Sequence, residues 1–190
     1  GGGTFDAAVV RRTETGFEIV GRPEGIERLG GIDFDHAVFN HVLSSIGSKA
    51  DDLEADDPTA VVASAQLRRD CVEAKEALSS ETDVSIPVNL PGRQTEVRLT
   101  RGEFEAMIRP AINETTVALR RALESAAVAP EDVSAVLLVG GSSRIPLVAE
   151  LVTADLGRPV AIDARPKDAI ALGADWPAGR RPRPPRRKRW

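Results

Sequence analysis

Three glycine-rich turns carry the residues of this 190-residue sequence whose types and spacing can do chemistry. Gly1-Gly2-Gly3-Thr4 directly precedes a strand-like run, and consecutive glycines let backbone N–H groups approach an anion without side-chain obstruction. The Thr4 hydroxyl adds a hydrogen bond to a phosphate or to a metal-bound water. Alone, such a segment is most often just a tight turn. Leu29-Gly30-Gly31-Ile32-Asp33-Phe34-Asp35 sets a second glycine pair before a helix, whose start offers free N–H groups to an anion. By itself that pair reads as a helix entry with close packing. The most specific stretch is Val136-Leu137-Leu138-Val139-Gly140-Gly141-Ser142-Ser143-Arg144-Ile145-Pro146. An apolar strand runs into two glycines, then hydroxyls, an arginine and a helix-starting proline. Ligands of open α/β sheets bind at the carboxyl ends of strands, where this turn falls. Its glycines permit close approach by a flat purine–ribose, and the Arg144 guanidinium can cover the base. An ordinary strand-to-helix turn is hard to reconcile with two further glycine pairs in one chain.

The elements that must position these turns alternate between strand and helix. Phe5–Val10 and Gly16–Val20 read as strands joined at Thr15-Gly16, and Arg22–Arg28 as a Gly/Pro loop. A helix is expected over Phe34–Ser45, with Phe34, Val38, His41 and Val42 on one face. After an acidic loop over Ser48–Pro58, Thr59–Ser80 is amphipathic, with Val62, Leu67, Cys71, Ala74 and Leu78 at helical spacing. Val84, Ile86, Val88 and Leu90 alternate as a half-buried strand, which Pro87 puts at an edge. Pro91-Gly92 then turns the chain into Thr95–Leu99. Thr100 and Glu103 have capping-box spacing for a helix reaching about Ala127, kinked or restarted at Pro110. Val133–Val139 is continuously apolar, the pattern of a central strand covered on both faces. Pro146–Leu156 is a helix, Val160–Ile162 a short strand and Asp168–Ala174 a last helical turn or two. The fold class is α/β.

Composition narrows the function classes. Hydrophobic residues make up 42% of the chain, enough for a core, and no run is long enough for a membrane span. The net charge is −4, yet the tail Trp176–Trp190 holds seven basic residues and no acid. The remainder therefore carries 18 basic against 29 acidic residues, a net of −11, which argues against nucleic acid as its main ligand. The single Cys71 allows no intrachain disulfide and fits a reducing, cytoplasmic setting. His36 and His41 lack a third strong ligand and read as surface or packing residues. The start has no initiator Met and no signal-peptide pattern; together with the abrupt Pro/Arg-rich end, it is expected of a truncated or frameshifted piece. The tail itself reads as a disordered basic arm or as out-of-frame sequence. Asn113-Glu114-Thr115 matches a glycosylation sequon inside an expected helix and carries no weight.

Taken together, these motifs resemble the 70-kDa heat-shock (DnaK) chaperone family of two-lobed, actin-like ATPases. GGGTFD resembles that family's second phosphate motif and LGGIDFD its LGG-x-DFD segment. Cys71–Ser80 resembles its adenosine-contacting helix, and VLLVGGSSRIP its adenosine motif, all in the family's order. The resemblance covers Gly1 to about Asp175 and implies lobe II of an actin-like nucleotide-binding domain, in the ribonuclease H-like class, with a smaller α+β subdomain inserted over about 35–109. It implies that Gly1, Gly2 and Gly3 wrap the β- and γ-phosphates, with Thr4 as the catalytic-site threonine beside the γ-phosphate. Asp6 would stand near a bound monovalent cation, Lys75 and Ser79 would contact the adenosine, and Gly140, Gly141, Ser142 and Arg144 would hold ribose and base. The implied cofactors are ATP or ADP with Mg2+, and K+. The implied partners are a first lobe, a peptide-binding domain, a J-domain co-chaperone, a nucleotide-exchange factor and unfolded polypeptide clients.

Departures from the family pattern sharpen the expectations. The first lobe, with its phosphate loop and catalytic lysine, is not in this sequence, and phosphoryl transfer needs charge neutralisation from several sides. The chain alone is therefore expected to have no measurable ATPase activity. Glu76 stands where many relatives carry a residue that stacks on adenine, and Ile32 replaces a common acid. Lys167 stands where relatives often have an acid; its ammonium either substitutes for the potassium ion near Asp6 or is a solvated surface group. These departures keep open a degenerate, non-catalytic interaction module. Another actin-like ATPase, such as a sugar kinase or a cell-shape filament protein, fits the wording of GGGTFD and GGSSRIP less well.

Overall fold

The computed structural model describes residues 2–48 and 57–162. Gly1, Lys167, the acidic segment over 49–56, the expected helix over Asp168–Ala174 and the basic tail lie outside the described residues. The described chain is a mixed α/β structure of four α-helices and three small two-stranded sheets.

Strands β1 (Thr4–Arg12) and β2 (Phe17–Glu27) pair antiparallel around the expected Thr15-Gly16 turn. There the Thr13 amide donates to the Gly16 carbonyl at 2.8 Å and the Gly16 amide to Thr13 Oγ1 at 3.1 Å. Strand β2 corrects the sequence reading, because residues assigned to a loop over Arg22–Arg28 continue the strand to Glu27. The pairing shifts register between Ala7 (opposite Glu24) and Val9 (opposite Val20), so Gly21, Arg22 and Pro23 form a bulge. A bulge is where a strand tolerates glycine and proline, and it carries its unpaired backbone groups elsewhere. Here Arg22 N–H donates to Ser125 Oγ at 2.9 Å, and that hydroxyl lies 3.0 Å from the Arg22 carbonyl.

Helix α1 (Gly31–Ser45) begins three residues earlier than expected and buries Phe34, Val38, Phe39, Val42 and Leu43. His36 is exposed and His41 half-buried, as their reading as surface and packing residues requires. Helix α2 (Pro58–Ala77) starts at Asp57, which accepts from the Thr59 amide at 2.9 Å. Leu67, Cys71, Ala74 and Leu78 are buried as expected, whereas Val62 is 68% exposed. The first turns of α2 run past the core, and Ala60 supplies the inward position there.

Strands β3 (Asp83–Leu90) and β4 (Arg93–Thr100) form the expected hairpin, with Ile86, Val88, Leu90, Val97 and Leu99 inward. Each strand of a two-stranded ribbon keeps a free edge, which accommodates Pro87. Helix α3 (Arg101–Ser125) opens on the capping box: Thr100 N–H reaches Glu103 Oε2 at 2.8 Å and Glu103 N–H reaches Thr100 Oγ1 at 3.2 Å. It passes through Pro110 as a single helix rather than restarting there, because Phe104, Ile108 and Ile112 hold the same buried stripe on both sides.

Beyond a short 3-10 turn at Pro130–Asp132 come β5 (Val136–Leu138), a 3-10 turn over Gly141–Arg144, α4 (Pro146–Leu156) and β6 (Val160–Ile162). Strands β5 and β6 are parallel, with Val136 opposite Val160. The expectation of a doubly covered strand over Val133–Val139 is corrected: β5 spans three residues and pairs with β6 alone among the described residues. Leu137 is 65% and Val139 48% exposed, since no described element lies on that face.

One hydrophobic cluster joins α1, α2, the β3–β4 hairpin and the first half of α3, and it reaches Ile145 and Leu147 at the start of α4. A second, centred on Leu123, Val152 and Leu156, gathers Val9 of β1, Val136 of β5 and Val160 of β6. Both clusters therefore touch the segment around the Gly140-Gly141 turn. No helix among the described residues is long and apolar enough to cross a membrane.

Candidate functional site

The three glycine turns converge at the start of α1. Its first amides are already engaged: Ile32 N–H donates to the Gly2 carbonyl at 2.8 Å and Gly30 N–H to Asp33 Oδ2 at 2.8 Å. This helix start is thus capped within the chain, which matches its reading as a close-packed helix entry. The Gly2–Ile32 bond ties the first turn directly to the second. Gly31 is the meeting point. A methyl group added there would lie 3.5 Å from Lys75 Nζ, 3.5 Å from Ser142 Oγ and 3.8 Å from the Gly2 carbonyl oxygen.

A cavity of about 330 Å³ opens at this junction. It falls within the range of ~300–1,000 Å³ usual for small-molecule sites. Gly2 and Gly31 line it, with Lys75 and Glu76 at the end of α2, Ser79 in the turn that follows, and Gly140, Gly141, Ser142 and Arg144 of the third glycine turn. Lys75 lies in the last turn of α2 and Ser79 just past its Leu78 cap, and both line the cavity. The second turn wall is held by Ser143, whose buried hydroxyl donates to the Gly140 carbonyl at 2.7 Å. Gly140 has φ 90°, a conformation that side chains rarely adopt, so the strand can turn sharply into the 3-10 segment.

Lys75 is the most constrained charged group in the cavity. Its ammonium lies 2.6 Å from Asp35 Oδ1 and donates to the Gly31 carbonyl at 3.2 Å. Asp35 Oδ1 is sealed from solvent and receives no well-directed hydrogen bond, so its contact with Lys75 is an ion pair of close approach. Asp35 was not singled out from the sequence. The signal was present: it is four residues after Gly31, one turn further along the helix that the glycine pair begins. Ile32, Val72 and Ile145 also line the cavity and give it apolar surface for a flat ring.

The structure does not bring every expected residue to this cavity. Thr4 and Asp6 stand at the start of β1, exposed, with Thr4 Oγ1 donating to Asp6 Oδ2 at 3.0 Å. Gly3 lies between them and the cavity, and a Cβ there would meet Ile32 Cδ1 at 4.0 Å. Among the described residues no three His, Cys, Asp or Glu side chains gather to hold a metal ion. One residue behind the cavity wall is chemically distinctive: Cys71, 1% exposed, has its thiol pushed up to about 12 by burial, with Asp70 and Asp35 adding to the effect.

A second depression of about 580 Å³ lies beside the β3–β4 turn, lined by Thr59, Ala63 and residues 89–94. Though larger in volume, it is more open to solvent. Its one charged group, Arg93, is turned away to the Ile46 carbonyl.

Comparison with known proteins agrees with this assembly of motifs. The model of the family described as Hsp70 protein matches residues 1–179. A protein named chaperone protein HscA homolog, from Methylibium petroleiphilum, is 39% identical over 92% of this chain. A protein of the same name from Burkholderia multivorans is 36% identical, again over 92% of the chain. The chain spans 27% of the length of each of these relatives. With a family match over nearly its whole length, and with the family's glycine turns gathered around one cavity, the chain belongs to the Hsp70 family.

Proposed function

We propose that this chain is the adenosine-holding lobe of an Hsp70-type chaperone ATPase. The observation that carries the reading is the cavity itself, which draws Gly2, Gly31, Lys75, Ser79, Gly140, Gly141, Ser142 and Arg144 from four separated segments. In this reading Lys75 and Ser79 donate to ribose hydroxyls, and Gly140 and Gly141 admit the edge of the base. Ser142 offers a hydroxyl across the junction, and Arg144 covers the ring. Gly1, Gly2 and Gly3 direct the polyphosphate out of the cavity toward β1, where Thr4 faces the terminal phosphate and Asp6 stands near a monovalent cation. Lys167 is the candidate to replace that cation. Magnesium would enter with the nucleotide phosphates and neutralise part of their charge.

Hydrolysis then requires charge neutralisation from a facing lobe, so this chain alone binds nucleotide without turning it over. In the longer protein, nucleotide turnover would control grip on unfolded polypeptides. A J-domain co-chaperone and an exchange factor acting on about 35–109 are its expected partners. The test is titration of the chain with ADP by calorimetry, beside Arg144→Ala. ADP binding that weakens about tenfold or more in the variant supports the reading. Absence of ADP binding, or equal binding by both proteins, removes it.

A further inference from the structure

The ammonium of Lys75 has three N–H donors and no acceptor. Within the chain it donates to the Gly31 carbonyl at 3.2 Å and lies 2.6 Å from Asp35 Oδ1 as an ion pair without a well-directed hydrogen bond. At least one donor direction is therefore left for a ligand. The side chains of Lys75 and Asp35 are only 12% and 21% exposed, so water screens their attraction weakly and the two charges largely cancel. The lysine thus faces the cavity as a hydrogen-bond donor carrying little net charge. Such a group suits a neutral hydroxyl. An incoming phosphate would meet the paired Asp35 carboxylate close behind the ammonium, with the Glu76 carboxylate also on the lining. Arg144, the other cation of the lining, is on the opposing wall. Gly31 stands at the same junction, where a Cβ would lie 3.5 Å from both Lys75 Nζ and Ser142 Oγ, in ordinary contact.

We propose that Asp35 is a specificity-determining positioning residue. By neutralising and orienting Lys75, it makes this end of the cavity accept a free sugar hydroxyl and exclude an anion. The inference rests on the nucleotide reading above and extends it to a residue that need not touch the ligand.

The test compares ADP, its 2′-deoxy and 3′-deoxy forms, and ADP phosphorylated on the 2′ or the 3′ hydroxyl, on the full chain and on Asp35→Asn. The unaltered chain is expected to prefer ADP over at least one deoxy form by roughly tenfold or more, the scale of a hydrogen bond to a charged group. It should also reject the form phosphorylated at that same hydroxyl. In Asp35→Asn the ammonium is no longer neutralised, so the ratio of phosphorylated form to ADP should rise tenfold or more. A merely structural role would weaken all ligands together and leave that ratio unmoved, and that result overturns the proposal. If Asp35→Asn does not fold, Lys75→Met decides the matter. It should erase the penalty for the missing hydroxyl, and persistence of that penalty would equally overturn the proposal. Failure of the unaltered chain to bind any ADP form removes the nucleotide reading and this inference with it. Binding of ADP with an unchanged ratio removes the inference alone.

Discussion

Cys71 lies one helical turn before Lys75 on α2, facing the core while its neighbour lines the cavity. Its thiol is held up to about 12, against an ordinary value of 9.0, chiefly because burial disfavours the thiolate. Between those values the unfolded chain releases a proton that the folded chain keeps. The contribution to stability is thus complete below pH 9 and is lost as pH rises, by up to about 1.4 kcal/mol per pH unit. The chain has no tyrosine, which removes one competing alkaline titration. Urea unfolding at pH 8 and pH 10 should show a loss of about 1 kcal/mol that Cys71→Ala abolishes. Cys71 should also resist alkylation until the chain unfolds. Glu76 poses the opposite case, an exposed acid on the cavity lining. A cation over a base is worth about 0.5–1 kcal/mol at an exposed site. Glu76→Arg should therefore tighten ADP binding by roughly two- to fivefold in a fluorescence titration, and unchanged or weaker binding would place the base elsewhere.

At the scale of elements, local signals were legible where they act locally. The Thr100–Glu103 box starts α3, alternation over Val84–Leu90 makes a strand, and Pro146 opens α4 with Gly157 closing it at φ 62°. The glycine turns likewise announced the cavity that they line. What was not legible depends on partners distant in sequence. Arg22–Arg28 reads as a loop because glycine and proline usually end strands. It is strand here, with a bulge at Gly21–Pro23, where Ser125, over a hundred residues away, meets both backbone groups of Arg22. Val62, Leu137 and Val139 fit their periodicities yet no described element covers them, and periodicity cannot report that. Asp35 was missed because its importance comes from Lys75 on another helix. The β2–α3 contact is directly testable. Gly21 has φ 71°, and a Cβ there would lie 2.5 Å from the Ala126 amide nitrogen. Gly21→Ala should cost about 2–4 kcal/mol through strain and displaced backbone. Ser125→Ala should cost about 1–2 kcal/mol, leaving Arg22 amide and carbonyl less well satisfied. Urea midpoints in the reverse order would mean that the hydroxyl, not the close approach, holds the bulge.

For the whole molecule, apolar surface is distributed unevenly. Val10, Ile19 and Phe17 are 55%, 62% and 74% exposed on the β1–β2 ribbon, and Leu137, Val139 and Ile162 are 46–65% exposed at or next to β5 and β6. Val10 and Ile19 are opposite one another in the ladder, so they form a contiguous patch on one face. Each ribbon also keeps unpaired strand edges among the described residues. Exposed edges beside apolar faces are templates for pairing with another chain. The two ribbons nevertheless share a foundation, since Val9 of β1 and Val136 of β5 pack on the same Leu123–Val152–Leu156 cluster. The surplus apolar area is therefore on the outer surface, where a charge can be introduced without entering the core. The chain should self-associate with rising concentration in light-scattering measurements after size exclusion. Val10→Lys combined with Leu137→Lys should shift it toward monomer while its helical circular dichroism is retained. ADP binding should also survive, because neither residue lines the cavity. Monomer at every concentration would mean that the exposed faces are too small or too well flanked by charge to drive association. Association unaffected by the two lysines would shift the contact to the strand edges, where backbone pairing does not depend on those side chains.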